Sequence, residues 1–398
     1  MARNRRSTAN PALARLALGV FFILPRTVQI AIVIIALVVG AGYVVWKSGS
    51  PKNLVLVSQE NSRQSLPVEG LRPDGSGEFL FCFWNVENLF DDVDDRRARI
   101  DEDYDNPFAR DPALRQLKYQ RITEALLRVN GGRGPDLIAC VEVEGVRAAQ
   151  LLQESLNSRI AEESWQYRYL AVHDLNAGRH ITPAVISRLP ISPMRTRLLG
   201  FRLRILETEV TVNGHDLRLI VSHWTSQIRQ QDGGNGESGR MNYAKTIAEA
   251  VRNELSRVPS TDLLVCGDFN DTPDARTVRE GLNTTGDRSL LGSMPPGRPL
   301  LALFAGKPPE RFGTIWHAGH HLIYDQICVT PGMLDRDGWW CDPEAIATET
   351  RGLIRPGASR REPWRFGKPL PALAASERGS SDHFPITLPL TVQAAAGP

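Results

Sequence analysis

The sequence predicts a mixed α/β protein, a layered sandwich preceded by one N-terminal transmembrane helix. Three observations carry this. Short apolar runs of strand length alternate with segments of helical period. The dipeptide Asn213-Gly214 between two alternating runs marks a hairpin, so part of the sheet is antiparallel. An unbroken apolar stretch near the N-terminus reaches the span of a bilayer. With 398 residues, 42% hydrophobic and 23% charged, the composition excludes a disordered, collagen-like or low-complexity chain. About 350 residues beyond the first fifty suit one large layered domain.

Residues 28–46 read VQIAIVIIALVVGAGYVVW, with Gln29 the only strongly polar residue. At 1.5 Å per residue this approaches the ~30 Å hydrocarbon thickness. Tyr43 and Trp46 fall at headgroup level. Residues 1–27 form a basic lead, and the first fifty residues carry six Lys/Arg and no Asp or Glu. The positive-inside tendency keeps that end in the cytoplasm, so the expectation is a single-pass membrane protein with the domain that follows the span on the extracytoplasmic side. Subtracting those six leaves 41 basic and 45 acidic residues, a net of −4. The remainder is therefore no general polyanion binder, and an anionic substrate must be met by a local patch or by metal. The run 16–24, stopped by Pro25-Arg26, is too short to span and reads as interfacial.

Residues 47–77, rich in Ser, Gly and Pro, read as a linker, 78–390 as the domain, and 391–398 as a tail. Strands are expected at 79–86, 137–143, 203–212, 215–223, 263–267, 323–330 and 386–390. Asp111-Pro112 caps a helix whose apolar positions Leu114, Leu117, Ile122, Leu126 and Val129 recur at helical spacing, and Asn130-Gly131-Gly132 stops it. Segments 147–156 and 242–255 behave likewise. The stretch 230–239 reads as a flexible insertion. Five cysteines without CxxC spacing signal neither zinc nor a disulfide framework and read as buried thiols, a usage that fits a reducing compartment. The charge argument, which concerns insertion directly, sets the expected orientation.

Polar residues gather at the strand ends: Asn85 and Glu87, Glu142 and Glu144, His223, Asp268 and Asn270, Asp325, and Asp382-His383. Singly, each has an ordinary explanation in turns or solvent-facing positions. Together, WNVENLF, PDLIACVEVE, VSHW, GDFNDTPD, YDQI and SSDHFP occur in an order that resembles the endonuclease/exonuclease/phosphatase superfamily, the DNase I-like fold, over roughly residues 78–390.

The resemblance implies a four-layered α/β sandwich that cleaves phosphate esters with Mg2+ or Mn2+. Carried over by position, it implies Asn85, Glu142 and Asp382 on the metal side, with Glu87 supporting. It implies His223, Asp268, Asn270, Asp325 and His383 as catalytic residues, Asp325 orienting His383. Glu144 is the near neighbour that competes with Glu142; Pro135-Asp136 before the strand favours Glu142. Either Asp268 or His383 serves as base. Where relatives carry Arg-Gly-Ile-Asp, this chain has Arg179-His180-Ile181-Thr182, which leaves Arg179 as a substrate contact and replaces the acid by Thr182. These residue types suit the chemistry, because phosphodiester hydrolysis needs charge compensation, an aligned water and a proton for the leaving alkoxide.

One further segment bears on substrate. Arg351, Arg355, Arg360, Arg361, Arg365 and Lys368 interleave with Trp364 and Phe366, opposed by Glu362. Arg361, Trp364 and Arg365 are the expected substrate contacts, since such a loop follows a polynucleotide while a ring stacks on a base. A solvated connector, or a strip drawn to anionic lipid, fits the same residues equally well. The leading expectation is a nuclease with nucleic acid as substrate. The alternatives are a phospholipid or inositol-phosphate hydrolase, against which Tyr324-Asp325-Gln326-Ile327 lacks a Cys-Asp-Arg pattern, and a non-catalytic scaffold. No protein partner is expected.

Overall fold

A computed structural model describes residues 55–56, 71, 77–95, 99–175, 178–227, 235–292, 299–370 and 373–394. The expected membrane span 28–46 and most of the 47–77 linker lie outside the described residues. Among the described residues no helix is long and apolar enough to cross a membrane.

The principal elements are β1 (Gly77–Leu89), α1 (Pro112–Leu127), β2 (Leu137–Val143), α2 (Val146–Asn157), β3 (Ile205–Val212), β4 (His215–His223), α3 (Glu237–Arg257), β5 (Leu263–Asp268), β6 (Asp325–Val329) and β7 (Ile386–Val392). One sheet runs Val55–Leu56, Tyr169–Val172, Thr182–Ser187, β2, β1, β7 and Trp339–Cys341, with Ala347–Thr348 also on β7. The second runs Thr284–Thr285, Leu300–Ala302, β6, β5, β4, β3 and Arg197–Leu198. β1 pairs parallel with β2 and β4 with β5, while β7, β6 and β3 run antiparallel to their neighbours.

Period-2 alternation sorts the side chains into layers. Phe79, Phe81 and Phe83 of β1, Leu217, Leu219 and Val221 of β4, and Leu264 and Cys266 of β5 share the core between the sheets. Cys82, Trp84 and Val86 point the other way, under Ile122 and Leu126 of α1 and Leu152 and Leu156 of α2. On the far side, Ile220, Leu263 and Val265 meet Tyr243, Ile247 and Val251 of α3. The order helix, sheet, sheet, helix follows, each fully buried Leu, Ile or Phe contributing roughly 1.5–3 kcal/mol.

Local signals act as read. The Asp111 carboxylate accepts from Leu114 N at 3.0 Å and caps α1. Asn213 and Gly214 take φ of 56° and 81°, as a two-residue hairpin turn requires. Two strands lacked a legible signal: Tyr169–Val172, only four residues long, and Thr182–Ser187, interrupted by Pro183. α3 begins at Glu237, five residues before its first expected turn, and so takes in the end of the 230–239 stretch. All five cysteines are buried and free.

Candidate active site

Sheet register builds the centre of the site. His223 pairs with Asp268, and Asp268 with Asp325, so three adjacent strands present these side chains in one row. They continue the core-facing parity of β4, β5 and β6 out to the rim, where apolar side chains give way to polar ones. From the facing sheet Asn85 continues Phe79, Phe81 and Phe83 in the same way.

Glu142 arrives differently. By simple alternation it would follow Cys140 into the helix-covered core. Instead Val141 faces the other sheet while Val143 faces the helices, so the parity slips by one residue between them. The slip falls at Glu142, whose φ is 64°, and the pairing with Thr182–Ser187 shifts register at the same place. β1 slips likewise at Glu87 and Asn88, with φ of 50° and 55°. Left-handed backbone at non-glycine residues is strained by about 1–3 kcal/mol each and persists where surrounding structure over-determines it. The outcome is contact: Glu142 accepts from Asn88 N at 2.9 Å and from Asn85 Nδ2 at 3.3 Å, and lies 3.7 Å from His223 Nε2. Glu144 is directed elsewhere, accepting from Asp91 N at 2.7 Å.

Asn85 Nδ2 also donates to Asp268 at 3.0 Å, and Asp268 lies 3.6 Å from His223 Nε2 and 3.8 Å from His383 Nε2. His383 Nδ1 bonds Asp325 at 2.7 Å. Its loop is pinned to β1 by Trp84 Nε1 donating to the His383 carbonyl and Ser381 Oγ donating to the Asn85 carbonyl. Asn270, at φ 51°, donates its amide to the Trp224 carbonyl, beside the stacked Trp224 and Phe269 rings.

The two histidines are polarised in opposite directions. Burial, with Arg204 and Arg179 nearby, holds His223 well below the ordinary imidazole range and therefore neutral. Burial opposes charge on His383 too, but Asp325, Asp268 and Asp382 outweigh it and hold His383 well above that range. Burial pushes Asp268 up to about 6 despite His383, and Asp382, burdened also by Glu87, up to about 7.

These directions test the fit to a divalent cation. Glu142, Asp268, Asp325 and Asp382 gather at the rim, Asp268 and Asp325 shut away from solvent and Asp382 a third exposed, and one Asp325 oxygen is buried without a hydrogen-bond partner. The donors are hard oxygens, and the crowding is what a cation relieves, so the residues fit Mg2+ or Mn2+. Asp268, Asp325 and His383 each bring a ligand atom within 4.8 Å of one another. His383 could reach an ion only through a ring nitrogen, its Nδ1 being bonded to Asp325, so the oxygen donors around Glu142 are the better magnesium set.

The expected substrate contacts divide. Arg179 bonds Asp101 at 2.9 Å and Asn88 beside Glu142, so it stands at the rim. Arg365 bonds Glu87 at 2.6 Å, lies 3.4 Å from Asp382 and keeps over half its side chain in solvent. Arg361 is occupied by the carbonyls of Glu310, Arg311 and Gly313, and Trp364 Nε1 donates to the Glu377 carbonyl. Those two brace loops. Glu87 accepts from Arg365, Phe366 N and Gly367 N, locking the basic segment to β1. Lys118, unremarked in the sequence, is fully buried and donates to the Ser380 carbonyl at 2.7 Å, with burial lowering it to about 8. Its i, i+4 neighbour Ile122 marks a core-facing stripe and was the available signal.

Two sheets face to face, with carboxylates, an amide and two histidines at one rim, define a phosphoester-hydrolase architecture. The chain belongs to the Endonuclease/Exonuclease/phosphatase family, whose profile matches residues 80–392. Among solved structures it is similar to TDP2 from C. elegans, at 15% identity over 80% of this chain and 75% of that one, TM-score 0.47. It is also similar to a mutant beta toxin from Staphylococcus aureus with bound magnesium ions, at 13% identity over 78% and 99%, TM-score 0.46. A third is the mannosyl-6-phosphatase Bt3783 of Bacteroides thetaiotaomicron, at 13% identity over 78% and 99%, TM-score 0.47. No curated protein matches the chain.

Proposed function

We propose that this phosphoester hydrolase is a Mg2+- or Mn2+-dependent phosphodiesterase acting on nucleic acid, anchored to the membrane by residues 28–46 with its domain on the extracytoplasmic side. The observation that carries the catalytic part is the row His223–Asp268–Asp325, closed by His383 and faced by Glu142 and Asn85. A divalent ion on Glu142, Asn85 and Asp382 would compensate charge on a non-bridging phosphoryl oxygen. Asp268 and His383 jointly orient and activate the attacking water, Asp268 being the group able to take its proton, while Asp325 holds the charged His383 imidazole in place. Neutral His223 and the Asn270 amide donate to phosphoryl oxygens as charge develops, and Arg179 and Arg365 contact the substrate phosphate from the rim.

The nuclease reading draws on Arg365 of the basic segment 351–368, which stands exposed beside the site, and on the lack of a Cys-Asp-Arg pattern at 324–327; the anchor draws on the apolar run and its flanking arginines. The experiment incubates the full-length protein with DNA, RNA, phospholipid and inositol phosphates, each with Mg2+, Mn2+ or chelator. Nicking of polynucleotide that exceeds a Glu142→Ala control supports the reading. Headgroup or phosphate release without nicking replaces it by the lipid or inositol-phosphate reading.

A further inference from the structure

Two strands leave the site directly beside His383. Ile315 bridges to His383, Phe384 N donates to the Thr314 carbonyl, and Thr314 Oγ1 accepts from Asp325 N. Ile315–His317 and His320–Leu322 then form a separate small hairpin, with His317 paired to His320 and Trp316 to His321 around an Ala318-Gly319 turn. A second hairpin-like loop lies against its base, closed by the Ile354–Pro363 bridge and held there by Arg361 on the carbonyls of Glu310, Arg311 and Gly313. From that loop Arg360 sets its guanidinium 4.4 Å from the Trp316 ring centroid, and His321 closes on the same ring edge-on at 4.6 Å. Arg360, Arg311 and Arg351 are exposed, as are His317 and His320 at the tip, with Glu310 the exposed acid beside them. Arg355 is answered by Glu362.

We propose that the Trp316–Arg360 stack, with His317, His320 and Arg311, is the binding surface for a single nucleic-acid strand leaving the scissile phosphate. The inference rests on the nuclease reading and deepens it by assigning the strand-binding residues. At ~3.3 Å per strand residue, Trp316 and His317 lie roughly 3–7 Å beyond the residue paired with His383, a reach of one or two nucleotides. A half-buried indole and a guanidinium plane are stacking platforms that accept any base, and the cations answer the backbone. The chemistry favours a strand over a bilayer: the hairpin tip carries small and imidazole side chains, and the exposed Ile354 of the adjoining loop is outnumbered by the exposed Arg311, Arg351 and Arg360.

The test uses the full-length protein in a Glu142→Gln background, so that bound strand is not turned over. The probe is a fluorescein-labelled single-stranded oligonucleotide, read by anisotropy through a series of NaCl concentrations. Trp316→Ala is expected to weaken binding about 5- to 150-fold with the salt slope unchanged, the range for losing one stacking platform. Arg360→Gln is expected to weaken binding and reduce the slope of log K against log salt by about 1. Trp316→Phe, which keeps the hairpin packed, should fall between, and Arg252→Ala on α3 controls for lost charge at a remote site. In the Glu142 enzyme the Trp316 and Arg360 variants should raise KM for oligonucleotide more than they lower kcat. If parent enzyme cleaves the oligonucleotide while both variants bind within about twofold of parent, the surface assignment falls and the nuclease reading stands. If parent neither binds nor cleaves oligonucleotide, both fall; loss of phosphatidylserine-vesicle binding in the variants would then make this a lipid-docking surface.

Discussion

Substituting Asp325→Asn removes one charge from the row with almost no change in shape. Asp325 is fully buried, with one oxygen 2.7 Å from His383 Nδ1 and the other without a partner. The amide can keep its oxygen on the imidazole and put its nitrogen where the unpartnered oxygen stood, so the fold should survive. The imidazole loses the first of the carboxylates that hold it above its ordinary range. If His383 handles a proton in the transition state, kcat should fall about 10²–10⁴-fold, roughly 3–5 kcal/mol of barrier. The assay is hydrolysis of bis(p-nitrophenyl) phosphate in Mg2+ or Mn2+, with the His383 imidazole titrated in parallel by NMR. The stability consequence has a fixed sign. A histidine raised in the folded state contributes stability that is complete below pH 6.5 and lost as pH rises through its folded value. The substitution should therefore cost more melting temperature at pH 6 than in alkaline buffer. A kcat within about threefold of wild type, together with a lowered imidazole midpoint, would refute the proposed role.

Other outcomes are expected. Chelation should abolish hydrolysis and Mg2+ or Mn2+ restore it, while isothermal titration should show divalent-ion affinity lost in Glu142→Ala. Glu87→Gln detaches the 365–367 segment from β1; at about 3 kcal/mol, the low end for breaking a buried pair because Arg365 is half exposed, it should lower Tm by several degrees in thermal melts. His223→Ala should lower kcat at least about 10²-fold with secondary structure intact by circular dichroism. Far from the site, burial pushes Asp262 up to about 7, beneath a bond from Trp339 N. A carboxyl raised in the folded state binds more protons folded than unfolded, so stability falls between about pH 4 and pH 7. Asp262→Asn should gain melting temperature relative to wild type as pH rises from 5 to 8, and a flat difference would contradict this.

The strands that build the site were legible because their apolar residues are contiguous. FLFCFWNV and LIACVEV announce buried strands, and the order of the polar residues at their ends indicated which family to expect. The helix capped by Asp111-Pro112 and the turn at Asn213-Gly214 were legible because both are decided by neighbouring residues. Arg361 and Trp364 read as substrate contacts from their types alone; the structure adds that their polar atoms are taken by backbone at 310–313 and 377, partners that sequence does not show. The Trp316–Arg360 stack was invisible for the same reason, whereas Lys118 could have been placed facing the core from its i, i+4 neighbour Ile122.

The sequence by itself determined the layering, since period-2 and period-3.6 patterns fix which face each element buries whatever it packs against. It also determined the chemical inventory of carboxylates, amides and imidazoles. The resemblance favoured Glu142 over Glu144, but only the tertiary structure showed how Glu142 reaches the site. Alternation alone turns both toward the helices, and the left-handed backbone at Glu142 swings one of them to the opposite rim. That conformation is unfavourable locally and is held by pairing with strands about fifty residues before and forty after it, which is information no short stretch of chain contains.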